Sequence, residues 1–209
     1  SDWAVAGTTG YDALWRIQAL FVDPNGGRPL GKLMQQLAGD RRGDLEELIA
    51  EAKEQVVTGP LYAEVDRLTS LMADICDADV RLRECVMALL VAFDRYRAYI
   101  VPGEAPSTTS KKVMAAAAER ARAQLDEERH ATLEVVVDLL LGKETGSSGR
   151  VTEPVRAGLI VRFQQVCGAV MAKGVEDTAF YRWTHLVSLC EVGGAPQQFG
   201  VEPDELHTW

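Results

Sequence analysis

The chain has 209 residues, 47% hydrophobic and 25% charged, an ordinary globular composition with length for one domain with a real core or two small ones. Its net charge of -9 argues against partners made of nucleic acid or anionic membrane, because an acidic surface gains nothing from releasing their counterions. A neutral ligand such as a sugar stays open.

The cysteines Cys76, Cys85, Cys167 and Cys190 form no C-x-x-C pair, and His130, His185 and His207 are far apart, so no metal-ligand spacing exists. Reduced, mostly buried thiols in a cytoplasmic protein with no metal and no cofactor are the expectation. The longest apolar run, Cys85 to Phe93, is too short to span a bilayer. The chain opens at Ser1 without a methionine or an export signal, which reads as a piece trimmed from something longer.

In chain order, Trp3–Ala6 is a short strand candidate, followed by the Gly- and Thr-rich run Gly7-Thr8-Thr9-Gly10-Tyr11-Asp12. Asp44, with Glu47 three residues on, predicts an N-cap for a helix whose apolar positions are Leu45, Leu48, Ile49, Ala52 and Val56. Gly59-Pro60 stops it. A second stripe runs through Leu61, Val65, Leu68, Leu71, Met72 and Ile75, and a third through Leu82, Cys85, Val86, Leu89, Leu90 and Phe93. These three helices are expected to pack on one another, antiparallel, with their Met and Leu residues in the core.

Pro102-Gly103-Glu104-Ala105-Pro106 reads as a loop, and Ser110 as the cap of an Ala-rich helix running toward Leu125. Leu133, Val136, Val137, Leu140 and Leu141 continue a helical face that Gly142 ends. His130, in a run of mixed charge, reads as solvated. Gly146-Ser147-Ser148-Gly149 is linker-like and lacks the Lys-Ser/Thr ending of a phosphate loop. Thr152 and Pro154 start a further helix through Val155, Leu159, Phe163 and Val166. Ala169–Ala172 is the second strand candidate. Gly174 followed by Val-Glu-Asp-Thr also reads as a helix start, where acids favour the dipole.

Two dense segments, Gly7–Asp12 and Met171-Ala172-Lys173-Gly174-Val175-Glu176-Asp177-Thr178-Ala179-Phe180-Tyr181-Arg182, are not what helix propensity asks for. With Leu20-Phe21-Val22-Asp23-Pro24, Phe93-Asp94-Arg95-Tyr96-Arg97-Ala98-Tyr99, Phe163-Gln164-Gln165, Glu191-Val192-Gly193-Gly194 and Phe199-Gly200, the chain resembles the maltooligosyl trehalose synthases of the α-amylase family. It departs from the pattern at Asp94, where the family has Pro, and likewise at Trp183 (Tyr), Cys190 (Asn), Ala195 (Asp) and Leu206 (Phe).

The resemblance implies a mainly α fold, a helical insertion flanked by remnants of an α-amylase-type (β/α)8 barrel. Residues 1–24 would derive from the barrel, 25–168 would be the insertion, and 169–209 would return toward the barrel. It further implies an internal piece of an isomerase that converts the reducing-end α-1,4 bond of a maltooligosaccharide to an α,α-1,1 bond, as in trehalose biosynthesis. The catalytic Asp and Glu would precede Ser1, and a His-Asp-Thr-Lys motif would follow Trp209. None of these motifs occurs here, so no catalytic residue is assigned and the isolated piece is expected to be inactive.

The resemblance also implies sugar contacts from Tyr11, Asp12, Lys173, Glu176, Asp177, Tyr181 and Arg182, with Tyr181 a stacking platform. Tyr11 and Asp12 read equally as a turn and N-cap. Glu176 and Asp177 are not the catalytic pair, because retaining glycosidases hold their carboxyls roughly 5–5.5 Å apart across one bond, whereas helix neighbours diverge. Trp3, Trp15, Trp183 and Trp209 could each stack on sugar, though a Trp is more often core. Neither His185 nor His207 reads as a general base. Helices cut from a barrel would expose apolar faces, so self-association is expected. A non-enzymatic helical interaction module derived from such an enzyme, and a related α-glucan hydrolase, are the competing readings.

Overall fold

A computed structural model describes residues 10–38, 44–76, 81–145, 151–183 and 185–209, apart from the side chains of Asp12 and Ala38. The strand candidate at Trp3–Ala6 and the linker at Gly146–Gly149 lie outside the described residues. The regular structure is helical: α1 Tyr11–Ala19, α2 Gly27–Ala38, α3 Leu45–Thr58, α4 Tyr62–Ile75, α5 Leu82–Ala92, α6 Thr108–Ala123, α7 His130–Leu140, α8 Glu153–Val170, a π-helical segment Met171–Ala179, α9 Phe180–Arg182 and α10 Pro203–Thr208. Short 3₁₀ turns lie at Pro24–Gly26, Glu127–Arg129 and Val187–Leu189.

The chain divides into two compact units, one made of Ala50–Val175 and the other of Ser1–Ile49 with Glu176–Trp209. In the first, α5 is the central helix and packs against α4, α6, α7 and α8. Its sequence explains the position: Leu82, Cys85, Val86, Leu89 and Leu90 are all buried, so the helix needs neighbours on several sides. Leu68, Met72, Met114, Leu133, Leu140, Leu159 and Phe163 complete the core. The expected trio of α3, α4 and α5 is only partly realised. α4 packs on α5 and α8, while α3 gives this core only Val57.

Caps set the boundaries, with one shift from expectation. Ser107, not Ser110, caps α6: the Ser110 N–H donates to Ser107 Oγ at 3.0 Å, and Ser110 is buried within the first turn. Both positions satisfy the sequence rule, and the loop after Pro106 delivers Ser107 first in extended geometry. α7 ends as read, on Gly142 at φ +77. The Gly142 and Lys143 N–H groups return to Leu139 O and Asp138 O at 3.0 and 2.9 Å, a Schellman closure. His130 is not solvated. It is half-buried, with Nε2 3.2 Å from Arg122 O and 3.1 Å from Leu125 O, tying the start of α7 to the end of α6.

Ala169–Ala172 is not a strand and Gly174 does not start a helix. Both lie in one uninterrupted helical run from the Thr152 cap to Arg182, which carries Gly158, Gly168 and Gly174 and meets no proline after Pro154. Ala, Val and Met without a period of two carry no strand signal strong enough to interrupt a helix already propagating.

The second unit has a small core of Trp15, Ala19 and Val201, with Ala195 and Leu206 packed against it. The Val201 N–H donates to Ala19 O at 3.3 Å, so the two ends of the sequence meet there. α1 leaves Leu14 and Ile17 exposed and α2 leaves Leu33 and Leu37 exposed, an apolar stripe on each helix, and Phe21 is exposed in the turn after α1. No helix among the described residues is long and apolar enough to cross a membrane.

Candidate functional site

The segment that sequence reading singled out, 171–182, is π-helical over nine residues. A π-helix bonds i to i+5, is usually a single turn, and concentrates at functional sites. Burial follows that longer repeat. Val170, Val175 and Phe180 are buried at intervals of five, as are Gly174 and Ala179. Lys173, Asp177, Tyr181 and Arg182 come to the surface at intervals of four and five, and Glu176 is half-buried. An α-helical repeat would scatter these positions around the axis, whereas the π turn sorts them into a buried edge and a polar edge. Tyr181 is 80% exposed, so its ring takes no part in the core.

Gly174 packs the start of this segment, residues 171–175, against α3. A Cβ there would come within 2.7 Å of Lys53 Cγ and 3.0 Å of Lys53 Cα, so the backbone approaches α3 as closely as it can. Gly174→Ala should therefore cost about 1–3 kcal/mol by overpacking. Gly158→Ala, in the middle of α8 with nothing within 4 Å, should stabilise by about 0.5–1 kcal/mol. Urea unfolding of the two variants checks the contrast.

Lys53 itself is buried, and its Nζ donates to Phe93 O and, at 3.4 Å, to Val91 O. Arg120 Nε donates to Ala92 O at 2.9 Å. Two cations thus satisfy the carbonyls that α5 leaves unpaired at its end, where the dipole favours positive charge. Burial lowers the Lys53 ammonium to about 8, against the opposing pull of Asp94 and Cys167, with Arg120 adding to the lowering. Burial works against ionisation of Asp94, yet the Arg95 hydrogen bond and the Arg120 and Arg95 charges hold it below its ordinary range. The Cys167 thiol, deeply buried, is pushed well up and stays protonated.

From this anchor the chain runs without regular structure through Phe93–Ile100, bending at residues 95–96; this is the stretch that resembles the family's aromatic segment. Phe93 is buried edge-on to Phe163, ring centroids 5.5 Å apart at 78°. Ile100 is pinned twice by buried Gln164, whose Oε1 accepts from the Ile100 N–H and whose Nε2 donates to Ile100 O, both at 2.9 Å. Between these pins Arg95, Tyr96, Arg97 and Tyr99 are exposed. Asp94, one of the departures, pairs with Arg95 at 3.1 Å and Arg120 at 3.3 Å, an arrangement proline could not make.

In the other unit, matched segments distant in sequence come together. Tyr11, first residue of α1 and partly exposed, lies against Gly193, where a Cβ would meet Tyr11 Cβ at 2.9 Å. Gly193 also has φ +74, so the position excludes a side chain on two counts. Gly27 packs under Phe199 in the same way, at 3.1 Å. Gly10 rather than Asp12 occupies the N-cap of α1, and the Asp12 side chain lies outside the described residues.

The remaining departures have structural roles. Cys190 Sγ–H donates to Trp183 O at 3.2 Å, so two changed positions meet each other. Burial, and then Glu191, push that thiol up to about 11. Ala195 and Leu206 pack on the small core. Among the tryptophans, Trp15 is core, Trp183 stacks on His185 at 4.0 Å and 24°, and Trp209 lies under the Arg16 guanidinium at 4.4 Å. Trp3 lies outside the described residues. No group of His, Cys, Asp and Glu among the described residues could hold a metal.

Sequence reading missed Lys53, and it placed Gln164 and Tyr99 in matching segments without assigning either a role. Lys53 and Gln164 carry a further signal: each is a long polar residue on an otherwise apolar stripe, Lys53 between Ile49 and Val57, Gln164 between Ile160 and Cys167. Tyr99 is marked only as the last residue of the stretch that resembles the family's aromatic segment.

No family model matches the chain. A protein of Mycobacterium tuberculosis strain H37Rv named as a maltooligosyl trehalose synthase is 37% identical over 204 residues, 97% of this chain and 24% of that protein. Among solved structures, the maltooligosyltrehalose synthase of Arthrobacter ramosus aligns with a TM-score of 0.78 at 33% identity, covering 99% of this chain and 24% of its own. A Sulfolobus tokodaii protein titled as a hypothetical maltooligosyl trehalose synthase shares the fold at 22% identity, with a TM-score of 0.65 over 100% of this chain and 24% of that one. The chain spans about a quarter of the length of the relatives it matches. In sequence and in fold, it is similar over nearly all of its length to one segment of the maltooligosyl trehalose synthases.

Proposed function

We propose that this chain is an internal, non-catalytic part of an enzyme that isomerises the reducing end of a maltooligosaccharide, turning its last α-1,4 bond into an α,α-1,1 bond in trehalose biosynthesis. The observation that carries the reading is the likeness to the Arthrobacter ramosus enzyme in both fold and sequence over 99% of the chain. The exposed apolar stripes of α1 and α2 support it, since a segment docked on a barrel would cover them. Residues 1–24 and 169–209 are the barrel-derived flanks in this reading, and 25–168 the helical insertion. The bond-breaking carboxylates lie in the rest of the enzyme, so the chain alone is inactive.

The isomerisation retains configuration, which a covalent glycosyl-enzyme accounts for. Its difficulty is competition. Water must be kept from the intermediate while the freed glucose turns over in place. Walls around the terminal sugar solve both problems by holding the acceptor at high effective concentration. The polar edge of the π segment is the proposed contribution of this chain: Lys173, Glu176, Asp177 and Arg182 hydrogen-bond sugar hydroxyls and Tyr181 stacks on a pyranose face. Tyr11 and Asp12 add contacts from α1.

The test is product analysis of the full-length enzyme on maltopentaose. A trehalosyl-ended product is expected, and glucose with maltose in its place would refute the isomerase assignment. Lys173→Ala and Asp177→Ala are each expected to lower turnover roughly tenfold, about 1.4 kcal/mol of barrel-enzyme transition-state binding, or to raise the hydrolytic share. Both side chains are exposed, so folding should hold. Wild-type turnover and product ratio in both variants would remove the π segment from the pocket.

A further inference from the structure

We propose that Tyr99 is a specificity-determining contact for the glucan, a role that rests on the function proposed above but is assigned to a residue outside it. Tyr99 has φ +55, and among the described residues it is the one non-glycine residue with positive φ. The chain uses glycine at the other such positions, Gly10, Gly103, Gly142, Gly193 and Gly200. An aromatic side chain in the left-handed region is strained, because its Cβ crowds the following carbonyl, and glycine or asparagine would make the same turn without that cost. A strained non-glycine residue persists only where its surroundings over-determine it, and such residues cluster at functional sites.

The surroundings here do over-determine it. Ala98 and Ile100 on either side are buried. Gln164 holds both backbone groups of Ile100, and Ser110 Oγ donates to Tyr99 O at 3.4 Å. The clamp turns one residue out from between two buried neighbours, and that residue is a tyrosine left 60% exposed. Its ring therefore takes no part in the core of this unit. Tyr96, Arg95 and Arg97 are exposed on the same short stretch. Phenol rings for the apolar face of a pyranose, with hydroxyl and guanidinium donors for its rim, are the chemistry that recognises a neutral glucan.

The experiment compares full-length enzyme carrying Tyr99→Gly, Tyr99→Asn and Tyr99→Phe with wild type, reading the thermal midpoint together with KM and kcat on maltopentaose. Tyr99→Gly and Tyr99→Asn are expected to keep or raise the midpoint while raising KM at least fivefold, with kcat within twofold. Tyr99→Phe is expected to stay within twofold of wild-type KM if stacking dominates, and an equal rise in KM would assign the contact to the hydroxyl. Unchanged KM in Tyr99→Gly and Tyr99→Asn overturns the inference. So does a midpoint drop or loss of folding in both, which would make Tyr99 a structural residue. A wild-type enzyme that neither binds nor converts maltopentaose defeats the function proposed above, and this inference with it.

Discussion

Gln164→Leu is expected to lower the stability of the chain by about 3 kcal/mol, seen as a lower urea midpoint with an unchanged slope. Leucine fits the helix and fills similar space, so neither propensity nor packing accounts for such a loss. The reason is the pair of backbone groups it abandons. Gln164 serves the N–H and the C=O of buried Ile100, and an orphaned buried polar group costs roughly 1–3 kcal/mol. Gln164→Glu is no rescue. A carboxylate can accept from the Ile100 N–H, but it has no donor for Ile100 O and would face it with like charge. Gln165→Leu, one position along on the exposed side of α8, is the control and should stay within about 0.5 kcal/mol of wild type. If the two glutamine variants behaved alike, the clamp on the Phe93–Ile100 stretch would carry no energy, and the strain at Tyr99 would lack its restraint.

The contrast between Gln164 and Gln165 also shows what the sequence could carry. Helix positions were legible wherever local signals agreed: Gly59-Pro60 after α3, Gly142 after α7, and Thr152 with Pro154 before α8 combine a stop or a start with a continuous apolar stripe. The cap of α6 slipped by three residues because Ser107 and Ser110 offer the same chemistry, and only the path of the preceding loop chooses between them. The π turn was not legible. It differs from an α turn by one residue per hydrogen bond, and the spacing of Val170, Val175 and Phe180 becomes informative only once their burial is known. Lys53 and Gln164 belong to a third class. Each breaks an apolar stripe to serve carbonyls or amides about forty to sixty-four residues away, a pairing that no local pattern encodes. The candidate site was located by resemblance, through the Lys173–Arg182 run, while the residues that hold its surroundings in place emerged from the packing.

Lys53 provides the other large effect, and its sign separates it from an ordinary surface lysine. In the native chain its ammonium titrates at about 8 instead of 10.5, chiefly because it is buried. Between those values the unfolded chain holds the proton and the native chain has released it, so stability must rise with pH across that window. The full difference is about 3 kcal/mol, approached at a slope of about 1.4 kcal/mol per pH unit. The charged and titratable groups facing it do not confuse the measurement. Asp94 is already ionised, and the Cys167 thiol keeps its proton. The quantity to follow is the difference between wild type and Lys53→Met, in which contributions from the rest of the chain cancel. At neutral pH the two should be close, because methionine removes a costly buried charge but strands Val91 O and Phe93 O. By pH 10.5 the wild type should be the more stable by about 3 kcal/mol, since a neutral amine still donates to Phe93 O without the desolvation penalty. Parallel stability curves for the two proteins from pH 7.5 to 10.5 would mean that Lys53 reaches solvent, and that the junction of α3, the end of α5 and Gly174 is looser than its geometry indicates.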